Sequence, residues 1–161
     1  MNLHVQNCQR RVRPNLSRVA RLARFFADCV RRGGASGWRT LSVVLTDDAG
    51  IAATNRIYLD HDGATDVISF ALPPLPGAAL GEGEVHLNLQ RALEEGRARG
   101  DVPGEVALYL AHGIAHLAGG TDATGPERRA MRRTERDWLG RARRMGLLAD
   151  LAAERVRRSR P

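Results

Sequence analysis

The sequence predicts a single α+β domain, on three observations. Its 161 residues match one folded unit of roughly 100–200 residues, and a chain of that size buries about two thirds of its unfolded surface in one core. Hydrophobic residues at 43% and charged residues at 27% lie near globular averages, which excludes wholesale disorder. Short alternating or β-branched stretches are interleaved with stretches of helical period, and no internal repeat is found.

Residues 2–8 alternate as a short strand, with Leu3 and Val5 on one face. Pro14 opens a helix to about residue 32, with Leu16, Val19, Leu22, Ala23 and Phe26 at helical spacing and Gly33, Gly34 and Gly37 beyond its end. Residues 38–45 are β-branched and apolar and read as a central strand. Thr46 and Asp47 are N-cap candidates for a short helix towards Tyr58. A polar loop (60–64) precedes a strand at 65–71, and the Pro- and Gly-rich stretch 72–83 reads as an irregular connection. Residues 84–89 alternate as a half-exposed strand, and 90–99 form a helix ended by Gly100. An apolar helix runs from Pro103 to about Leu117, where Gly119 and Gly120 break it, and Pro126 starts a last amphipathic helix to about Met145. The domain is expected over residues 1–150, followed by a frayed basic tail at 151–161.

No apolar run approaches the roughly 18 residues of a membrane span, and the first residues turn basic before any secretory h-region develops. Cys8 and Cys29 are too few for a disulfide scaffold, so both read as packed thiols in a reducing cytoplasm. The formal net charge is +7, and every basic side chain is arginine. Such a balance favours encounter with polyanions, although solvated arginine-rich faces produce the same composition. Trp38, Trp138, Phe25 and Phe26 are core candidates, and aromatics are too sparse for a base-stacking platform.

The most informative segment is His112-Gly-Ile-Ala-His116-Leu-Ala-Gly119-Gly-Thr-Asp122. Residues four apart share a helix face, so the two imidazoles can grip one ion, zinc being the natural choice for nitrogen ligands. Gly119 and Gly120 let the chain reverse, which brings Asp122 back as a third ligand. Three protein ligands leave one position open, the catalytic pattern. Where the H-E-x-x-H peptidases place a general base, this chain has Gly113. The segment looks like a zincin scaffold doing different chemistry. Taken with the positive charge balance, the residues themselves point only as far as a metal-dependent hydrolase with an anionic substrate.

The chain resembles the YbeY family of metal-dependent endoribonucleases, whose mark is H-G-x-x-H-x-x-G-x-D-H. The match from His112 is ungapped, with Thr121 and Asp122 in the last two places. Glu127, Met131 and Glu135 fall on the family's E-x-x-x-M-x-x-x-E run. Asn55, Tyr58 and the stretch Thr65-Asp66-Val67-Ile68-Ser69-Phe70 resemble N-x-x-Y-R…T-D-V-L-S-F, and Gly83-Glu84-Val85-His86-Leu87 resembles the G-D-I-V-I strand.

The resemblance implies a zincin-like fold, a mixed four-stranded sheet packed against helices, with one zinc ion bound by His112, His116 and Asp122. It implies a single-strand-specific endoribonuclease of the cytoplasm that acts with the small ribosomal subunit and its proteins. There it would mature the 3′ end of 16S ribosomal RNA and take part in ribosome quality control; no DNA or membrane partner is expected. Asp122 stands where the family has a third histidine, and its charge makes the bound ion a weaker acidifier of water. Activity is then expected at higher pH than in three-histidine relatives. Leu59 stands where the family carries an arginine, and Arg56, three residues earlier on the helix, is the candidate replacement. Arg56 and Asp66 are therefore the catalytic candidates, and Asn55, Tyr58, Thr65 and Ser69 the substrate-binding ones. Thr65 and Ser69 can equally serve only to satisfy local backbone groups. Glu127 and Glu135 are expected to pair with Arg128, Arg132 or Arg133, while His61 is a loop histidine and His4 and His86 are ordinary strand residues. Two other readings stay open. One is a non-catalytic, zinc-stabilised RNA-binding assembly factor, favoured by Leu59. The other is a zinc peptidase, disfavoured by Gly113.

Overall fold

Alternation of buried and half-exposed side chains builds the sheet. In the computed structural model, which describes residues 1–154, β1 (Asn2–Asn7), β3 (Thr40–Thr46), β5 (Glu82–Asn88) and β4 (Val67–Leu72) lie side by side in that order. β1, β3 and β5 run parallel, and β4 returns antiparallel beside β5 with Leu72 opposite Glu82. The sheet is thus mixed and four-stranded, as expected. Leu41, Val43 and Leu45 of β3 and Val85 and Leu87 of β5 point to one buried face. Against it pack Val19, Leu22 and Phe26 of α1 (Leu16–Arg32) and Val106, Leu110 and Ile114 of α4 (Val102–Leu117). No helix among the described residues is long and apolar enough to cross a membrane.

Helix starts follow side-chain capping. Asn15 accepts from the Arg18 N–H, so α1 begins after Pro14 rather than at it. Pro14 instead ends β2 (Val12–Pro14), a three-residue strand that sequence reasoning misses. It carries no alternation to read. The buried Gln9 side chain organises its approach, accepting from the N–H groups of Arg11 and Val12 and donating to the Val12 carbonyl. β2 pairs antiparallel with β6 (Ala152–Glu154), and Leu151 beside it is fully buried. The packed chain therefore continues past the boundary expected at 151; the remainder of the expected tail, 155–161, lies outside the described residues. The strand expected at 65–71 starts at Val67, because Asp66 Oδ1 accepts from both the Thr65 hydroxyl and the Val67 N–H and shapes a turn there. Trp38, Trp138 and Phe26 are buried as expected, with Phe25 packed at the core's edge. Cys29 is buried, but Cys8 is exposed just past the end of β1, so the packed-thiol expectation fails for it.

α4 is the hub, touching β4, β5, α1, α3 (Leu89–Arg99) and α5 (Gly125–Arg144). Its approach to the sheet is close enough to require glycine at 113. A Cβ there would lie 2.7 Å from Val85 Cγ1 and 2.9 Å from Val67 Cγ2. Contacts this short with two branched side chains fall in the upper part of the usual overpacking range, about 2–3 kcal/mol, more than the ~1 kcal/mol of helix propensity that alanine recovers. Gly113→Ala is therefore expected to lower stability by about 1–2 kcal/mol in urea unfolding; a neutral or stabilising result would show that α4 can lift off the sheet at no cost.

Candidate metal centre

Each imidazole of the ligand helix is held from behind. His112 Nδ1 lies 2.6 Å from Oε1 of Glu135 on α5, and His116 Nδ1 lies 3.0 Å from the Gly120 carbonyl. A carboxylate and a carbonyl can only accept, so both Nδ1 atoms carry the hydrogen. Both Nε2 lone pairs are left free, and they face one another 3.0 Å apart with the rings nearly perpendicular. Two opposed lone pairs repel unless a cation or a shared proton lies between them. Zn–N bonds of about 2.05 Å at a tetrahedral angle place two nitrogens about 3.3 Å apart, close to the spacing found. The outer hydrogen bonds are of the kind that orient metal-ligating histidines.

The third candidate ligand, Asp122, comes back on the loop between α4 and α5. Gly119 adopts φ +88°, open to glycine, and a Cβ on Gly120 would lie 2.8 Å from the Ala115 carbonyl. The loop is then tied down twice. Thr124 and Glu127 form a capping box at the start of α5, and Arg128 donates to the carbonyls of Asp122 (3.0 Å) and Ala123 (2.9 Å). The Asp122 carboxylate oxygens thereby sit 3.9 Å from His112 Nε2 and 4.0 Å from His116 Nε2. One donor atom from each of the three residues lies within 4.8 Å of the others. The donor set fits one divalent ion.

The other expected site residues surround this centre unevenly. Ser69 donates from Oγ to the Gly113 carbonyl at 3.0 Å, directly beneath the ligand helix. Asp66 lies near enough to raise the His112 pKa, with its carboxylate fixed by Thr65 and the Val67 N–H. Asn55 donates to the Gly63 carbonyl and braces the loop after α2 (Asp48–Leu59). Tyr58 is 69% exposed and meets Phe70 edge-on at 5.4 Å. Arg56 is exposed on α2 and makes no hydrogen bond or ion pair among the described residues. His61 lies in the exposed loop after α2, and His86 bonds Glu84 on β5.

Glu135 departs from the expected pairing with a neighbouring arginine; it is buried and bonds His112. The sequence carries the inward direction of this side chain but not its partner. Met131, Glu135, Trp138 and Ala142 recur at helical spacing and form the buried face of α5, so a carboxylate in that series points inward and needs a partner there. Glu127 likewise serves the helix cap, and Thr124 holds its carboxyl below the usual range.

Fold and site together define a class: an α+β domain with two histidines on a helix and a carboxylate on its return loop, placed so that they could hold one metal ion. The family model described as Endoribonuclease YbeY matches residues 4–143, and the chain belongs to that family. It is 35% identical over 147 residues to Endoribonuclease YbeY of Pelotomaculum thermopropionicum, covering 88% of this chain and 97% of that protein. It is 38% identical over 106 residues to Endoribonuclease YbeY of Salinibacter ruber, covering 62% and 68%. The solution structure of TM1509 from Thermotoga maritima shares the fold, with a TM-score of 0.57 at 17% identity over 98% of this chain and 99% of that one.

The Glu135 hydrogen bond outweighs burial and raises the His112 pKa above its ordinary value. A proton on Nε2 competes with the ion, so zinc affinity should rise with pH through a midpoint above the ordinary histidine value of about 6.5. Glu135→Gln is expected to move that midpoint down and to weaken binding about 10- to 100-fold at alkaline pH. Competition titration with a chelator reads both, and an unchanged midpoint would remove Glu135 from the account. In the same assay Asp122→Ala should lose most of the metal and Asp122→His should keep it.

Proposed function

We propose that this member of the endoribonuclease family hydrolyses phosphodiester bonds of single-stranded RNA at one zinc ion held by His112, His116 and Asp122. The observation that carries the reading is the convergence of two anchored imidazoles and one tethered carboxylate. Zinc suits a nitrogen-rich set with a single oxygen ligand. Bound there, the ion would polarise a phosphoryl oxygen and make water a better nucleophile. The name shared by the relatives supplies RNA as the substrate class. Ribosomal RNA, at the 3′ end of the small-subunit species in the cytoplasm, is the particular substrate we infer from the resemblance of the motifs.

The chain's own residues take the remaining roles in this proposal. Glu135 and the Gly120 carbonyl keep both Nδ1 atoms protonated, so both Nε2 atoms stay available. Asp66, already fixed through Oδ1, positions water beside the ligands. Arg56 has no competing ion pair and supplies the planar, doubly donating group that a phosphate needs. Thr65 and Ser69 already use their hydrogens on Asp66 and Gly113, so they would meet ribose hydroxyls as acceptors. Tyr58 offers an exposed ring edge to a base, and Asn55 holds the loop that borders it. Gly113 offers no general base and has no room for one, which sets peptide hydrolysis aside.

Leu59 favours one second reading, a metal-stabilised RNA-binding assembly factor without catalysis. A cleavage assay on structured RNA, with zinc content measured in each sample, separates the two. The zinc-loaded chain should cleave, His116→Ala should abolish cleavage with its metal, and Arg56→Ala should slow it on the order of 100-fold. Tight binding with no cleavage by the zinc-loaded chain would favour the assembly factor. Cleavage that persists in both variants would belong to a contaminant.

A further inference from the structure

The assignment of Glu135 to His112 leaves the arginines around it without the partner expected of them. α5 carries eight arginines against three carboxylates. Arg128 is spent on the Asp122 loop, Arg141 faces Asp137 at 3.5 Å, and Arg143 bonds Asp101 at 2.5 Å. Arg129, Arg132, Arg133 and Arg136 are exposed, and none is ion-paired among the described residues. Arg136 uses only Nε, on the Arg132 carbonyl. Their spacing of three, four and seven residues places them along one face of the helix, over a length of about 10 Å.

That face is a groove. A cavity of about 520 Å³ lies between α4 and α5, lined by these four arginines with Leu108 and Leu139 and with Glu135 at its floor. Leu108 is one helical turn before His112, so the groove adjoins the metal centre. The single carboxylate in it is buried and engaged by His112, which leaves the rim to the guanidinium groups. Four unpaired guanidinium groups in a row fit the regularly spaced charges of a phosphate backbone, whereas a lone small anion needs only one or two of them.

We propose that this arginine groove on α5 carries the sugar-phosphate backbone of the RNA strand next to the nucleotide at the metal centre. It contacts two or three successive phosphates without reading bases. The proposal rests on the RNA reading above and adds the path of the strand to it. The groove supplies a salt-sensitive, sequence-independent part of the affinity.

The test is binding of a fluorescein-labelled single-stranded RNA to the zinc-loaded full chain at several salt concentrations, with cleavage followed on gels from the same samples. Each lost phosphate contact lowers the slope of log affinity against log salt by about 0.7. Two or three phosphates shared between two arginine pairs come to one or one and a half contacts per pair, so Arg132→Gln with Arg133→Gln should reduce the slope by about 0.7–1.0 and weaken binding roughly 5- to 10-fold near 0.1 M salt. A second pair, Arg129→Gln with Arg136→Gln, should behave alike and guards against misfolding of the first. Arg21→Gln with Arg24→Gln removes the same charge from the exposed face of α1 and should change the slope by less than half as much. Equal effects of all three pairs, or an unchanged slope in the groove pairs, would overturn the groove while leaving cleavage intact. A wild-type chain that neither binds nor cleaves the RNA would instead overturn the RNA reading itself, and the groove with it.

Discussion

Two hydrogen bonds that never touch an ion govern this site. His112 to Glu135 and His116 to the Gly120 carbonyl fix which nitrogen of each ring carries its hydrogen. Everything on the opposite side of the rings follows from that choice. Were either ring free to turn or change tautomer, the two Nε2 lone pairs would not be forced together, and three side chains on a half-exposed surface would be only a loose polar cluster. Each of the two acceptors, moreover, is built by a different part of the fold. Glu135 requires α5 to lie along α4 with its buried face inward. The Gly120 carbonyl requires the helix to stop and reverse within a few residues, a path that leaves no room for a side chain on Gly120.

The same arrangement explains why α4 sits so low on the sheet. Gly113 lies between the two histidines in sequence, and its missing side chain lets Val67, Val85 and Ser69 come up against the helix backbone. Ser69 then donates to the Gly113 carbonyl, pinning the turn that joins the ligands. What this position loses as a proton carrier, it contributes as packing. Burial of Glu135 has a second consequence, for charge. A buried carboxylate must be hydrogen-bonded, and His112 satisfies it, so the neighbouring arginines on α5 stay unneutralised beside the histidine pair. The positive excess apparent in composition thus acquires a location.

Much of this arrangement is legible in the amino-acid sequence. β1 and β5 announce themselves through alternation, β3 through its β-branched, apolar run, α4 through its histidine spacing, and the return loop through paired glycines. Element ends are legible where a side chain or a glycine caps them, as at Asp47 and Gly100. Three features are not. β2 and β6 are three residues each, too short for any period, and are organised by the side chain of Gln9 and by long-range pairing. Asp66 resembles a strand residue because its side chain replaces a backbone partner just before β4. Neighbours along the chain direct Glu135 towards arginine, whereas its position on the apolar face of α5 sets it against α4. In each case the deciding contact joins distant segments, or a side chain stands in for backbone, and local pattern carries neither.

The coordination sphere can be read directly by zinc K-edge X-ray absorption on the loaded protein. The account requires one zinc per chain, two imidazole nitrogens at about 2.0–2.1 Å and a carboxylate oxygen at about 2.0–2.2 Å, with no sulfur. Gain of a third imidazole in place of the carboxylate in Asp122→His, which keeps the metal, would complete the assignment. A sulfur shell near 2.3 Å, or a spectrum with a single imidazole in the wild-type chain, would contradict it.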